Sequence, residues 1–200
     1  MPPTDDRHRV TARRVVAGAQ QLTLERGLDG WTMDELAAVI GVSRRTLFNH
    51  VPGKVEAVLA LPLRHGDDDD GATTAALDEF RRGGPTGRLL DDVIHLGATL
   101  VAFPDEIDPD LLRTTRAVLA CEPRVARAEH DRFERAAADM TTLIVEREGP
   151  DFGTDRARLA VRLLLTIFDA SIEQLLEPDE SRTLAQLFAA HLDAAARLLA

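Results

Sequence analysis

One cysteine, one lysine, one tryptophan and no tyrosine occur in this 200-residue chain. With Cys121 as the sole thiol, an intrachain disulfide and a thiolate-based zinc cluster within one chain are both excluded, so the fold rests on packing. Long apolar runs are missing as well. The longest uncharged stretch with apolar character, Val93 to Pro104, falls far short of the roughly 18 to 20 residues of a spanning helix. The first nine residues, Met-Pro-Pro-Thr-Asp-Asp-Arg-His-Arg, have neither the apolar core of a secretory signal nor the acid-poor character of a transit peptide, and a cytoplasmic chain is expected. Sustained apolar/polar alternation bounded by turns is also absent, and Ala and Leu dominate, which argues against β structure.

What remains is a chain with 44% hydrophobic and 29% charged residues, a composition able to bury a core and incompatible with disorder as the main state. The net charge of -10 is unevenly spread. Residues 1–60 hold eight Lys+Arg against seven Asp+Glu, net +1, so residues 61–200 hold sixteen against twenty-seven, net -11. Within the first part the positives cluster at Arg7, Arg9, Arg13 and Arg14 and again at Arg44, Arg45 and Lys54, and residues 43–54 contain no acid. An acidic whole disfavours indiscriminate coating of nucleic acid but leaves a small basic face able to dock phosphates at one place.

Periodicity predicts an all-α fold of about nine helices. The first, about residues 8–26, carries Ala12, Val15, Val16, Ala19 and Leu22 on one stripe and stops at Gly27. Thr32 followed three residues later by Glu35 is a capping box, flanked by the apolar pair Trp31 and Leu36, so a second helix begins at Met33 and ends at Gly41. Ser43 then caps a short helix, residues 44–50, closed by Pro52 and Gly53. Helix, tight turn, helix is the resulting motif, followed by a helix from about Lys54 to Pro62.

Residues 64–88, rich in Asp and Gly around a short amphipathic piece at 74–82, read as a linker, and the expected division is a domain of residues 1–60 and another of 61–200. Helices are expected near 87–103, 109–121, 123–148, 153–176 and 180–199, with prolines and Gly149 as punctuation. The helix around 155–176 carries two nearly opposite apolar faces, Val161, Leu164, Phe168, Ile172 and Leu175 against Leu159, Leu163, Ile167 and Ala170. One face serves a core, and a second subunit is the economical cover for the other. With the stripe of the last helix this predicts a homodimer through helices near 153–176 and 180–199.

On the helix 44–50, Arg45 and Asn49 lie four apart on one face while Leu47 points inward. Arginine can donate two bonds to guanine O6 and N7, and asparagine can pair with adenine N6 and N7. Arg44 is a further base-reading candidate, while Thr32, Ser43, Thr46, His50 and Lys54 sit where hydroxyls, an ammonium and free backbone N–H groups can hold phosphates. Cap, glycine turn, basic island and base-reading residue types together outweigh the plainer reading of a solvated helical surface.

This pattern resembles the TetR family of bacterial transcriptional regulators. The resemblance runs from Arg14 to Leu59 through Ala19, Glu25-Arg26-Gly27, Thr32-Met33-Asp34-Glu35-Leu36-Ala37, Gly41-Val42-Ser43, Thr46-Leu47-Phe48, His50-Val51-Pro52-Gly53-Lys54 and Leu59. Ser43 to Asn49 looks like an actinobacterial-type recognition helix. The resemblance implies a DNA-binding domain followed by a helical ligand-binding and dimerisation domain, an operator duplex and a small-molecule effector as partners, and Phe48 among the DNA-contacting positions. Phe48 departs from the family's usual tyrosine and so lacks the hydroxyl that bonds phosphate; Val51 and Gly53 depart from a frequent Phe and Ser.

Other constellations fall short. The aspartates 67–70 do not fit a calcium loop, because the twelfth position would be Leu77, and Gly83 to Arg88 lacks the Gly-Lys-Ser/Thr of a phosphate loop. No histidines pair at i, i+4, no nucleophile elbow occurs, and neither a metal site, a cofactor nor an enzymatic activity is expected. Polar or aromatic residues interrupting the middle apolar stripes, His95, Thr99, Phe103, Arg116, Glu129 and Phe133, are the candidates for effector contact. The sequence thus predicts a ligand-responsive, homodimeric repressor. A helical binding module or an enzyme without DNA-binding activity is the alternative, opposed by the intact Arg44, Arg45 and Asn49.

Overall fold

A computed structural model describes residues 3–59, 71–100 and 109–199, and every regular element among them is an α-helix. They are α1 (Pro3–Arg26), α2 (Met33–Ile40), α3 (Arg44–His50), α4 (Lys54–Leu59), α5 (Ala72–Arg81), α6 (Leu89–Leu100), α7 (Pro109–Cys121), α8 (Pro123–Glu148), α9 (Thr154–Leu175) and α10 (Leu184–Leu199). The expected all-α architecture with an N-terminal helix-turn-helix is the one observed. None of these helices is long and apolar enough to cross a membrane.

Three boundaries differ from expectation. The first helix starts at Pro3 instead of residue 8, a position where proline fits because its missing N–H would have no helical partner anyway. The last helix starts at Leu184 instead of 180, and its cause is a second capping box: Thr183 N–H donates to Gln186 Oε1 at 2.9 Å, and Gln186 N–H donates to Thr183 Oγ1 at 3.3 Å. In the stretch expected to be a linker stands α5, whose Phe80 is fully buried. The turn after it is also fixed. Asp92 accepts from Thr86 N–H and Oγ1 at 2.9 and 2.8 Å, and the Arg147 guanidinium, lying 4.8 Å above the Phe80 ring, donates to both Asp92 and the Gly83 carbonyl. Gly84, at φ +69°, is required there, since a Cβ would stand 2.2 Å from Asp92 Cγ.

The chain forms two compact units. The first contains α1 to α4 together with α7 and residues 123–132 of α8. Its core gathers the predicted stripe of α1, Val15, Ala19 and Leu22, with Trp31, Leu36, Leu47, Val58, Val118 and Val125. Burial of each such aliphatic side chain contributes about 1.5 to 3 kcal/mol, so the short helices α2 and α3 hold their shape through packing and not through propensity. Polar ties join the elements of this unit. Gln20, fully buried on α1, donates to the Val58 carbonyl of α4 and to Thr115 Oγ1 of α7 at 3.1 and 2.8 Å, and Trp31 Nε1 donates to Thr23 Oγ1 at 3.0 Å.

The second unit contains α5, α6, residues 133–148 of α8, α9 and α10, around Phe80, Leu96, Ile144, Ala157 and Val161. Its α9 and α10 pack through the edge-on rings of Phe168 and Phe188, 6.4 Å apart, and through Ser171 Oγ and His191 Nδ1 at 2.9 Å. Arg162 on α9 makes a two-pronged pair with Glu134 on α8 at 2.7 Å.

Candidate nucleic-acid interface

Local chemistry sets the geometry of the α2–α3 pair. Thr32, extended at φ -122° and ψ 158°, accepts from Glu35 N–H at 3.2 Å while its own N–H donates to Glu35 Oε2 at 2.8 Å. The Thr32 hydroxyl and N–H hold the Glu35 carboxyl below its ordinary range. At the other end Gly41 adopts φ +68°, its N–H donates to the Ala38 carbonyl, and Val42 N–H reaches back to the Ala37 carbonyl. This is a Schellman closure, which a side chain at Gly41 would strain. The Arg14 guanidinium satisfies the Ile40 carbonyl, which the closure leaves over. One residue later Ser43 starts α3 by accepting from Thr46 N–H at 3.0 Å. Leu47 and Val51 then anchor α3 in the core, both buried.

Where α1 meets α2 the approach is close. A Cβ on Gly18 would lie 2.9 Å from Ile40 Cγ2 and 3.1 Å from Leu36 Cδ1. The glycine lets α1 serve as a backstop that fixes α2, and through the capped turn fixes α3.

With Leu47 inward, α3 turns Arg44, Arg45, Phe48 and Asn49 outward, all of them exposed. The side chains of Arg45 and Asn49 make no hydrogen bond or ion pair among the described residues and share one face at i, i+4. Arg44 is engaged: its Nη1 donates to Asp34 Oδ2 of α2 at 2.8 Å, and its Cζ lies 5.4 Å from the Phe48 ring centroid. Thr32 is committed to its cap, and the Ser43 and Thr46 hydroxyls lie 2.8 Å from each other. His50 is half-buried at the end of α3. Lys54 is tied inward, its Nζ donating to the Leu28 carbonyl at 2.9 Å and lying 5.0 Å from the Trp31 ring centroid. Sequence reasoning took it for a phosphate anchor; the structure adds a joint between α4 and the turn preceding α2.

That turn has further fixings from within the same unit. Leu28 N–H donates to Glu122 Oε1 at 2.7 Å, and Arg124 pairs with Asp29 at 2.7 Å. Asp29 raises the Arg124 guanidinium above its ordinary value. Neither pair had a sequence signal, since their members are 94 and 95 positions apart.

The effector candidates whose side chains are described are divided between the two units. His95 is exposed on α6 and Phe133 is 38% exposed on α8, both in the second unit, whereas Arg116 is half-buried on α7 in the first. The side chain of Thr99 and the whole of Phe103 lie outside the described residues. Glu129 is buried and paired with Arg132 at 2.8 Å, and Arg132 also donates to the Leu59 carbonyl. A shallow cleft of about 90 Å³ in the second unit is edged by Glu134, Thr141, Arg158 and Arg162 and by none of the candidates. Drug-sized ligands occupy about 300 to 1,000 Å³. Among the described residues no cluster of His, Cys, Asp and Glu could hold a metal ion.

Residues 15–61 match the model of the bacterial regulatory proteins of the tetR family. The match begins at Val15 in α1, spans the capped pair and takes in α4. Among solved structures, one described as a candidate TetR-family transcriptional regulator from Mesorhizobium loti is 18% identical over 96% of each chain, with a TM-score of 0.47. No curated protein matches the chain.

Proposed function

We propose that this chain, a TetR-family transcriptional regulator whose DNA-binding domain includes residues 15–61, acts in the cytoplasm as a homodimeric repressor that holds a pseudo-palindromic operator and is released by a small-molecule effector. The observation that carries this reading is α3, a helix anchored by buried Leu47 and fixed by a capped turn, with Arg45 and Asn49 exposed and uncommitted on one face. In the proposed division of roles Arg44, Arg45 and Asn49 read base edges. Thr32, Ser43, Thr46, Phe48, His50 and Lys54 position the helix on the backbone. Regulation, not turnover, is the activity, and the functional division is a DNA-binding domain of residues 1–60 and an effector and dimerisation domain of 61–200.

The homodimer reading is supported by α9, where Leu159 and Leu163 are 60% and 43% exposed while Val161, on the opposite apolar face, is buried. To hold a pseudo-palindromic operator such a dimer has to bring its two recognition helices to major grooves about one helical turn, roughly 34 to 36 Å, apart. An effector that prefers a differently spaced dimer weakens operator binding by its differential affinity for the two states, and about 1 to 3 kcal/mol of coupling gives roughly 5- to 150-fold release. Glu122, Arg124 and Thr115 supply the handles, because they tie α7 and the head of α8 to the turn before α2 and to α1. His95, Thr99, Phe103, Arg116 and Phe133 remain the proposed effector contacts.

Selection of bound duplexes from a random DNA pool at about 0.15 M salt tests the reading, with an Arg45→Ala/Asn49→Ala variant alongside. An inverted repeat enriched by the wild-type chain and lost in the variant is the expected result. A confirmed dimer that enriches nothing without effector overturns it in favour of a binding module that does not engage DNA.

A further inference from the structure

We propose that Asp34 is a specificity-determining residue: held against Arg44, it fixes that guanidinium for a guanine edge, so that the pair, and not Arg44 alone, selects one base pair in each half-site. This rests on the DNA-binding reading above and adds to it a residue from the helix that does not itself enter the groove.

Asp34 is the second residue of α2 and Arg44 the first of α3. Their link, 2.8 Å between Nη1 and Oδ2, bridges the two helices across the turn, and both side chains are largely exposed, 66% for Arg44 and 61% for Asp34. An ion pair that open to water adds little to stability, so the fold does not require it. The same carboxylate has an electrostatic cost in this place. It stands on the face that must approach phosphates, where any acid lowers attraction for every sequence alike. In the first turn of α2 a carboxylate is favourable whatever it faces, but that does not call for its pairing with Arg44, which selectivity accounts for, since selectivity is achieved by penalising wrong partners as much as by favouring the right one.

The geometry gives it the means. Arg44 lies between Asp34 and the Phe48 ring, with Cζ 5.4 Å from the ring centroid. A free arginine has many rotamers to lose when it settles on a base; this one is already restricted by a carboxylate at one nitrogen and an aromatic ring beside it. Asp34 occupies one of five guanidinium N–H donors, which leaves a fork for guanine O6 and N7. The second lone pair of Asp34 can accept from the N4 amine of a neighbouring cytosine, and its charge repels bases that present acceptors there. The ring also explains why phenylalanine suffices at position 48: without a phenolic hydroxyl it still supports Arg44.

The test uses the full chain, its selected operator, and every single-base variant of one half-site, titrated at one salt concentration with wild type, Asp34→Asn, Arg44→Ala and the double variant. Trp31 fluorescence on urea unfolding establishes that each variant folds. Arg44→Ala is expected to lose about 5- to 150-fold of discrimination at one position, the range of a bidentate base contact. Asp34→Asn is expected to lose at least about fivefold at that same position, with other positions within about twofold and binding to unrelated DNA strengthened, and the double variant is expected to match Arg44→Ala. A purely structural Asp34 would move all positions together. An Asp34→Asn profile like that of wild type, an even change over all positions, or additive losses in the double variant overturns the proposal and leaves the regulator reading standing. A wild-type chain that selects no repeat overturns both.

Discussion

Replacing Lys54 with methionine separates two roles that converge on one ammonium. Lys54→Met keeps the length of the stem while deleting the charge, so the hydrogen bond to the Leu28 carbonyl at 2.9 Å and the cation–π contact with Trp31 at 5.0 Å both go. A hydrogen bond from a charged donor contributes about 1.5 to 3 kcal/mol net, and a partly desolvated cation–π contact about 0.5 to 2. A thioether against the same ring returns about 0.3 to 1.5 kcal/mol. The balance is a loss of about 2 kcal/mol, concentrated at the joint between α4 and the turn before α2. Trp31 is the only tryptophan and is 1% exposed, so its fluorescence reports unfolding of this unit. With a urea slope of about 2 kcal/mol per M, the midpoint falls by about 1 M. A midpoint within about 0.2 M of wild type, at that same slope, would refute the argument that the carbonyl and the ring hold Lys54 in place. The operator supplies the second readout. The ammonium keeps further donors for a phosphate, and if it spends one there the slope of log K against log salt loses about 0.9 of its magnitude in the variant.

Three further outcomes are expected. Leu159→Glu/Leu163→Glu, which places charge on the exposed face of α9, should convert the proposed dimer to a monomer in sedimentation while leaving helical circular dichroism unchanged; a dimer that persists places the interface elsewhere. Arg147→Met leaves the Asp92 carboxylate buried without its cation, and loss of one partner from a buried pair costs about 3 to 5 kcal/mol, to be read as a lower midpoint by circular dichroism; a change under about 1 kcal/mol means that Thr86 alone suffices. In acid, three carboxyls act in the same direction. Thr32 lowers Glu35. Burial opposes ionisation of Asp92 but is outweighed by Thr86 and Arg147, and Arg182 brings Glu180 down to about 2. Each folded value lies below the unfolded one, so their stabilisation is full above the ordinary carboxylate range near pH 4 to 4.5 and is lost as pH falls through the folded values. The urea midpoint should therefore drop between about pH 4.5 and 2, and a midpoint that rises over that interval contradicts the hydrogen bonding at all three.

What could be read from the sequence was what neighbours in sequence decide. Thr32 and Glu35 are three positions apart, Gly41 closes the helix that ends beside it, and Ser43 caps the helix that follows it, so the α2–α3 pair was legible to the residue. The same logic would have found the start of α10, where Thr183 and Gln186 repeat the capping spacing, had it been applied there. It had nothing to say about Arg14 on the Ile40 carbonyl or Lys54 on the Leu28 carbonyl, each 26 positions away. Nor could it place Arg147, which turns an apparent linker of glycines and a proline into a fixed turn from 55 positions beyond Asp92. Glycine and proline signal a change of direction; whether the change is rigid depends on a partner that folding brings up from elsewhere.

The proposed DNA-facing residues and the proposed effector residues differ in kind for the same reason. A recognition surface consists of side chains a helix turns away from its core, and once Leu47 is known to face inward, the outward set of α3 follows from the helical period alone. An effector site is the space that several helices together fail to fill, and no single helix carries that information. Polarity on an apolar stripe is therefore a weak criterion for ligand contact. Glu129 interrupts its stripe and gives one carboxylate oxygen to Arg132, and Gln20, buried on α1, gives its amide nitrogen to Val58 and Thr115. In both instances another part of the chain takes up one polar atom of the residue, while Glu129 Oε2 and Gln20 Oε1 are buried without a partner. The Arg44 guanidinium shows the converse. Its residue type and place on the helix made it a base-reading candidate on sequence grounds, yet its guanidinium is engaged by Asp34 and Phe48, the first of them on a different helix.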